Sequence, residues 1–139
     1  MKQDVNISIK GIYTADEEQS TTELFTVGGL CKKNGHYYIT YQETETTGFE
    51  GCTTTMKIEK DRVTVIRHGP TTSHLVLQKG VRNIGRYEMM GNPMEIGVYT
   101  DGLETRMDEN GGSVYMKYTM DMNAALLSEN ELEISVTRA

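Results

Sequence analysis

The run SVYMKYTMDM, residues 113–122, decides the architecture. It sets Val114, Met116, Tyr118, Met120 and Met122 at every second position, with Tyr115, Lys117, Thr119 and Asp121 between them. A period of two with one apolar face describes a strand that buries one side and wets the other; a helix would repeat near 3.6. DVNISIK (4–10) does the same with Val5, Ile7 and Ile9, and ELEISVTR (131–138) with Leu132, Ile134 and Val136. Half-buried alternation belongs to antiparallel sheets, since parallel strands covered on both faces read as unbroken apolar runs.

Turn chemistry separates the strands. Asn34-Gly35 divides TELFTVGGLCKK (22–33) from HYYITYQET (36–44). This pair suits a type I′ hairpin, whose two central residues both need positive φ. Asp61-Arg62, Gly91-Asn92-Pro93 and Asn110-Gly111-Gly112 mark further joints, and Gly80 and Asp101-Gly102 mark breaks or bends. Helix is nearly absent; the one candidate is DMNAALLSEN (121–130), expected as one or two turns between the last strands. About eight to ten strands joined in sequence must close on themselves or stack as a sandwich, because an open sheet leaves an apolar face and two edges exposed. Short consecutive hairpins favour an all-β, antiparallel up-and-down barrel over a Greek key, which needs long crossovers.

Length and composition agree with one domain over residues 1–139. At 139 residues the chain can bury a core without metal or disulfide support. With 37% hydrophobic and 24% charged residues it is globular rather than disordered. A formal net charge of −6 repels phosphate backbones and anionic lipid, so neither nucleic acid nor a membrane surface is an expected partner. MKQDVNISIK at the start lacks the apolar core of a secretory signal, so a cytoplasmic protein is expected. Cys31 and Cys52 form no CxxC pair and read as two reduced thiols.

Extending each apolar face to the ends of its strand turns two charges inward. The face of Tyr37, Ile39 and Tyr41 continues to Glu43, and that of Val63 and Val65 continues to Arg67. Tyr87 and Met89 form the inward set of the next strand pair, with Met94, Ile96 and Val98 following. A charge desolvated alone costs several kcal/mol, so Arg67 and Glu43 are expected to meet, with tyrosine hydroxyls completing the network; otherwise both lie at a rim in water. The interior is rich in Met and Tyr, with 9 and 8 in the chain against 2 Phe and no Trp. Such residues suit an adaptable pocket, but they fill ordinary cores more often.

One segment invites a catalytic reading. VTVIRHGPTT (63–72) carries the Arg-His-Gly of a histidine phosphatase. That chemistry needs an anion clamp and a proton donor on an α/β scaffold. Here the only later histidine is His74, no helix follows Gly69, and alternation sends His68 outward. His36, His68 and His74 show no metal-ligand spacing, and G-x-S-x-G and phosphate-binding glycine loops are missing. No catalytic site, metal or cofactor is therefore expected.

The chain resembles the YwiB-like proteins, small bacterial proteins of unknown function. The likeness rests on YQET (41–44), GFEGCTTTMKIEKDRVTVIRHG (48–69), GRYEMMGNPMEIGVYT (85–100), YMKYTMDMN (115–123) and NELEISV (130–136). It spans nearly the whole chain and falls on Tyr41, Glu43, Arg67, Gly69, Tyr87 and Tyr118. The resemblance implies a calycin-like barrel, related in architecture to lipocalins and fatty-acid-binding proteins, and assigns no activity. The functional expectation is non-covalent binding of a small amphipathic ligand inside the barrel. Arg67 and Glu43 would be its polar anchors, and Tyr37, Tyr41, Tyr87 and Tyr118 its lining. A carboxylate head would suit Arg67 alone, although Glu43 beside it weakens that choice. The alternative is a non-catalytic structural or interaction module, with a homodimer as candidate assembly through a strand edge or through exposed apolar residues such as Ile66, Leu103 or Phe49. In either case ETTGFEG (45–51) would be a lid, a contact, or a loop whose Phe49 tucks into the barrel end.

Overall fold

Strand alternation and tight turns leave the chain few ways to fold. In the structure, a computed structural model describing residues 2–139, ten strands follow one another. They are β1 (Lys2–Ala15), β2 (Glu18–Lys33), β3 (His36–Gln42), β4 (Thr53–Ile58), β5 (Arg62–His68), β6 (Thr71–Gln78), β7 (Arg82–Met89), β8 (Asn92–Asp108), β9 (Gly111–Met122) and β10 (Ala125–Arg138). Each pairs antiparallel with its neighbour in sequence, and β1 pairs with β10 from Val5↔Arg138 to Thr14↔Glu129, so the sheet closes as an up-and-down barrel. The only helical element among the described residues is a single 3₁₀ turn, Glu45–Thr47.

Four of the joints are two-residue loops with both residues at positive φ. They are Asp16-Glu17, Asn34-Gly35, Met90-Gly91 and Asn123-Ala124. Two successive residues at positive φ give the link a twist that matches the right-handed twist of the flanking strands, which is why so tight a turn can reverse the chain. Only Asn34-Gly35 advertises itself fully in sequence. The Asp101-Gly102 bend is a bulge between Thr100 and Gly102 in the long strand β8, and a second bulge falls between Leu126 and Ser128 in β10.

Two expectations are corrected here. DMNAALLSEN is not helical: β9 runs to Met122, Asn123 and Ala124 turn, and β10 begins at Ala125. Continuing the period of two from SVYMKYTMDM into this segment satisfies the backbone of both strands, which a short helix inserted there would leave unpaired. Met89 has the inward parity but sits beside the turn and is 46% exposed. Ile66 and Leu103 are half-buried, and Phe49 packs into the barrel end, as one reading of its loop expected; the most exposed apolar side chains are Phe25, Val27, Ile84, Met90 and Leu126.

The inward residues divide the barrel into two unlike ends. The end holding the β2–β3, β4–β5, β6–β7 and β8–β9 turns is filled by short aliphatics. Val5, Leu30, Ile39, Val63, Leu77, Val98, Val114 and Val136 are at most 2% exposed. Branched side chains of this kind interdigitate densely and leave no room for a guest. Met and Tyr take over toward the other end, where the β1–β2, β3–β4, β5–β6, β7–β8 and β9–β10 connections gather.

The Asn123-Ala124 turn gives a test of the fold with opposite signs. Alanine at φ 68° costs roughly 1–2 kcal/mol that glycine avoids, less glycine's extra unfolded-state entropy. Ala124→Gly is expected to raise unfolding stability by about 0.5–1 kcal/mol in urea titration. A helix through this position would lose about 1 kcal/mol instead.

Candidate functional site

The antiparallel register lines up one inward row across six strands. Tyr41 on β3 faces Thr54 on β4, which faces Arg67 on β5, then Ser73 on β6, Tyr87 on β7 and Met94 on β8. The row spans residues 41 to 94, and the ladder brings them to one level. Across the barrel a second row runs from Thr100 through Tyr118 and Asn130 to Tyr13. The β10 bulge lets Leu127 and Ser128, adjacent in sequence, both face inward.

Glu43 lies just past the end of β3, where its backbone N–H donates to the Cys52 carbonyl at 2.9 Å and holds the β3–β4 loop shut. The 3₁₀ turn that follows ends at Gly48 with φ 83°, and the Cys52 N–H bonds the Phe49 carbonyl at 3.0 Å. This folding returns Phe49 over the barrel end, where its ring covers the Arg67 guanidinium at 3.9 Å. The β5–β6 turn packs on the end of the same loop, at Gly51 and Cys52. Gly69 there has φ 146°, and a Cβ on it would stand 2.8 Å from Cys52 Cα, so the glycine of Arg-His-Gly is a packing requirement.

Arg67 and Glu43 do meet, Nη2 to Oε2 at 3.2 Å, with side chains 13% and 1% exposed. Threonines make its shortest further contacts: Thr47 Oγ1 donates to Glu43 Oε1 at 2.9 Å, Thr54 Oγ1 donates to Glu43 Oε2, and Arg67 Nε donates to Thr54 Oγ1 at 3.3 Å. The expected tyrosines join more loosely, with hydrogen bonding to Glu43 adding to the rise in the Tyr41 pKa and hydrogen bonding to Arg67 opposing it at Tyr87. Ser73 Oγ, in the same row, is buried without a hydrogen-bond partner.

Beside this network the barrel is not solid. A cavity of about 390 Å³ opens toward the β3–β4 and β9–β10 connections. Its wall includes Met56, Met94, Met116, Met120 and Met122, and the rings of Tyr13, Tyr41, Phe49, Tyr87 and Tyr118. Arg67 is the only charged side chain in the wall among the described residues. The expectation that Met and Tyr simply fill a core therefore holds for neither residue type at this end. Unbranched methionines leave gaps that the aliphatic end does not. Of the six expected site residues, Arg67, Tyr41, Tyr87 and Tyr118 line the cavity. Glu43 lies behind Arg67, outside the wall, and Tyr37 is at the opposite end of β3, with Lys32 Nζ 5.6 Å from its ring centre. Alternation put Tyr37 and Tyr41 on one face but said nothing about which end was hollow. Ser128 and Asn130 share the inward parity of Leu132 and Ile134 and were missed because 121–130 read as helix, Leu127 lines the cavity through the bulge, and Phe49 arrives on the loop, as one reading of ETTGFEG expected.

The phenols are held in their neutral form. Burial pushes Tyr118 up to about 12, and burial also raises Tyr41 and Tyr87. The Glu43 charge adds to the rise at Tyr41, while the Arg67 charge opposes it at Tyr41, Tyr87 and Tyr118. The interior thus presents O–H groups as donors and acceptors at any ordinary pH.

His68 and His74 are exposed on the outer face of the β5–β6 hairpin, away from Arg67. His36 Nε2 lies 3.4 Å from Glu59. Among the described residues no three of His, Cys, Asp and Glu gather as a metal-holding group, and Cys31 and Cys52 are unbridged. No helix is long and apolar enough to cross a membrane.

Two measurements follow from this geometry. Breaking a buried pair from one side leaves a charge uncompensated. Glu43→Ala is expected to cost about 3–5 kcal/mol in chemical denaturation, and adding Arg67→Met to recover more than half of it. In alkaline titration followed by tyrosinate absorbance, Tyr41, Tyr87 and Tyr118 should ionise after the exposed tyrosines. Tyr115, raised to about 12 by its hydrogen bond to Glu131, should join them. Raised folded-state values mean that the unfolded chain loses protons first. The stability they contribute is intact below pH 10 and falls as pH rises toward the folded values.

Known proteins share this architecture. The uncharacterised β-barrel protein YwiB of Bacillus subtilis (strain 168) is 25% identical over 122 residues, covering 86% of this chain and 84% of that protein. The crystal structure of the ywiB protein from Bacillus subtilis superposes with a TM-score of 0.88 at 20% identity, over 99% of this chain and 93% of that one. At that identity the superposition bears on fold alone. The family described as a domain of unknown function (DUF1934) matches residues 7–134, nearly the full length of the barrel, and the chain belongs to that family.

Proposed function

We propose that this barrel binds a small amphipathic molecule non-covalently in its open end, in the general manner of calycin-like barrels. The observation that carries the reading is the cavity of about 390 Å³, a size within the usual range of ligand pockets, with an apolar wall and one arginine in it. An empty space lined by flexible Met side chains forfeits dispersion contacts that a guest would restore. Arg67, backed by Glu43, and the hydroxyls of Tyr41, Tyr87 and Tyr118 would anchor the polar head, while the methionines would take the tail. The role is non-catalytic: the cavity offers no nucleophile–base pair, and His68 and His74 face outward. Apolar rim residues Met90 and Leu126, 90% and 63% exposed on the turns beside the mouth, would ease entry of an apolar tail. The unbridged thiols fit a reducing compartment such as the cytoplasm.

A specific observation supports a second, interaction-module reading. Residues 18–27 of β2 pair only with β1, because β2–β3 pairing starts at Gly28. Phe25 and Val27 on this stretch are 71% and 69% exposed. An unpaired antiparallel edge is self-complementary about a twofold axis, so a second copy would be its occupant. Light scattering that finds a dimer, lost in Val27→Lys, would favour this reading; a monomer at high concentration would remove it.

The ligand reading is tested by thermal denaturation with medium-chain amphiphiles. A specific guest at a hundredfold excess over its Kd should stabilise the wild type by about 2.7 kcal/mol. Met120→Trp, which narrows the cavity with a rigid ring, should reduce the shift while remaining folded. A wild type that shifts with no amphiphile, or a narrowed variant that shifts equally with every chain length, would sink the proposal.

A further inference from the structure

We propose that the barrel selects ligands whose head is uncharged and accepts hydrogen bonds, an amide, ester or ketone rather than a carboxylate. This rests on the cavity reading and narrows its chemistry. The first ground is the state of Arg67. Its charge is already matched by Glu43 at 3.2 Å, a partner more deeply buried than the arginine itself and held by Thr47 and Thr54. Coulomb attraction falls only as the inverse of distance, so a carboxylate docked on the guanidinium would feel Glu43 nearly as strongly. It would also give up its own hydration against an ion pair of zero net charge. A neutral carbonyl oxygen loses far less on entering. Of the five guanidinium N–H donors, one is spent on Thr54 and one on Glu43, and Phe49 covers a face, which leaves Nη hydrogens for such an acceptor.

The second ground is the mouth. Its connections carry Asp16 and Glu17, Glu45 and Glu50, and Glu88 nearby, all exposed, and residues 15–18, 43–52, 69–70, 88–91 and 121–126 contain no Lys or Arg. Lys32, Lys33, Lys60, Arg62 and Lys79 flank the turns of the filled end instead. An anion approaching the opening therefore meets a potential of its own sign. A cationic head would pass the rim and then lose its hydration against the same pair of zero net charge, facing guanidinium N–H groups that offer it no acceptor. A neutral acceptor head meets neither the repulsion at the rim nor that desolvation cost. The volume sets the size: at about 30 Å³ per small group, the cavity holds about a dozen non-hydrogen atoms.

Decanamide, decanoate and decylammonium are nearly isosteric, have about that size, and differ in head charge. Calorimetric titration of the wild-type protein at neutral pH should find decanamide bound at least tenfold more tightly than either ion. Glu43→Gln frees the Arg67 charge and should tighten decanoate at least tenfold while leaving decanamide little changed. Decanoate or decylammonium binding as well as decanamide would overturn the inference while leaving the cavity reading standing. A folded Glu43→Gln protein with no gain for decanoate would overturn it likewise. Failure of all three to bind would overturn both. Should Glu43→Gln not fold, the wild-type comparison decides alone.

Discussion

The pairing of β1 with β10 turns nine successive hairpin pairings into a barrel. Without it the same strands would form a ribbon with two edges and an apolar face open to water. With it, the inward half of every strand becomes interior, and alternation along the chain becomes radial position in space. That constraint explains why residues far apart in sequence share a level. Once the register of each ladder is set, Tyr41, Thr54, Arg67, Ser73 and Tyr87 can only be neighbours around the ring. A slip of one residue in any ladder would send a charge or a valine to the wrong side, so the buried valines of the filled end and the buried arginine of the open end fix the same register.

Closure does not require the interior to be uniform, and here it is not. Branched aliphatics seal one end, and methionines and phenols leave space at the other. The sealed end supplies the stability that a hollow end gives up. The loop connections follow the same division. Turns at the sealed end are short, whereas the longest connection, from Glu43 to Cys52, crosses the open end and brings Phe49 onto Arg67.

Much of this was legible in the sequence, and what was not has identifiable causes. Alternation in 113–122 and 131–138 is a local property, so the strands and their inward faces could be read directly. The inward turn of Glu43 and Arg67 followed from the same parity. The segment 121–130 misled because Asn123-Ala124 adopts left-handed φ without a glycine, at a cost that only tertiary pairing repays. Met89 and Tyr37 misled because parity gives a face but not a depth along the barrel axis. Phe49 between glycines did suggest a loop that tucks into the barrel end, whereas Leu127 and the threonine partners were hidden because a bulge, a loop turn and a cross-strand register place them, and none of these has a local signature.

The Glu43–Arg67 pair is the least economical part of the fold. Hydrophobic residues of similar volume in place of a buried ion pair are often neutral or stabilising. The barrel could have continued its aliphatic packing to this end, as it does at the other. Instead an acid from a loop, a threonine and an aromatic ring are arranged around one arginine, each meeting a need the arginine creates. Glu43 matches its charge, Thr54 takes its Nε hydrogen, and Phe49 covers its face. A cation that served only stability would not need its remaining hydrogens turned to an empty space of about 390 Å³. Neutralised from behind and unspent in front, it is built as a hydrogen-bond donor rather than as a charge, and that distinction connects the physics of the core to the chemistry the barrel is suited to recognise.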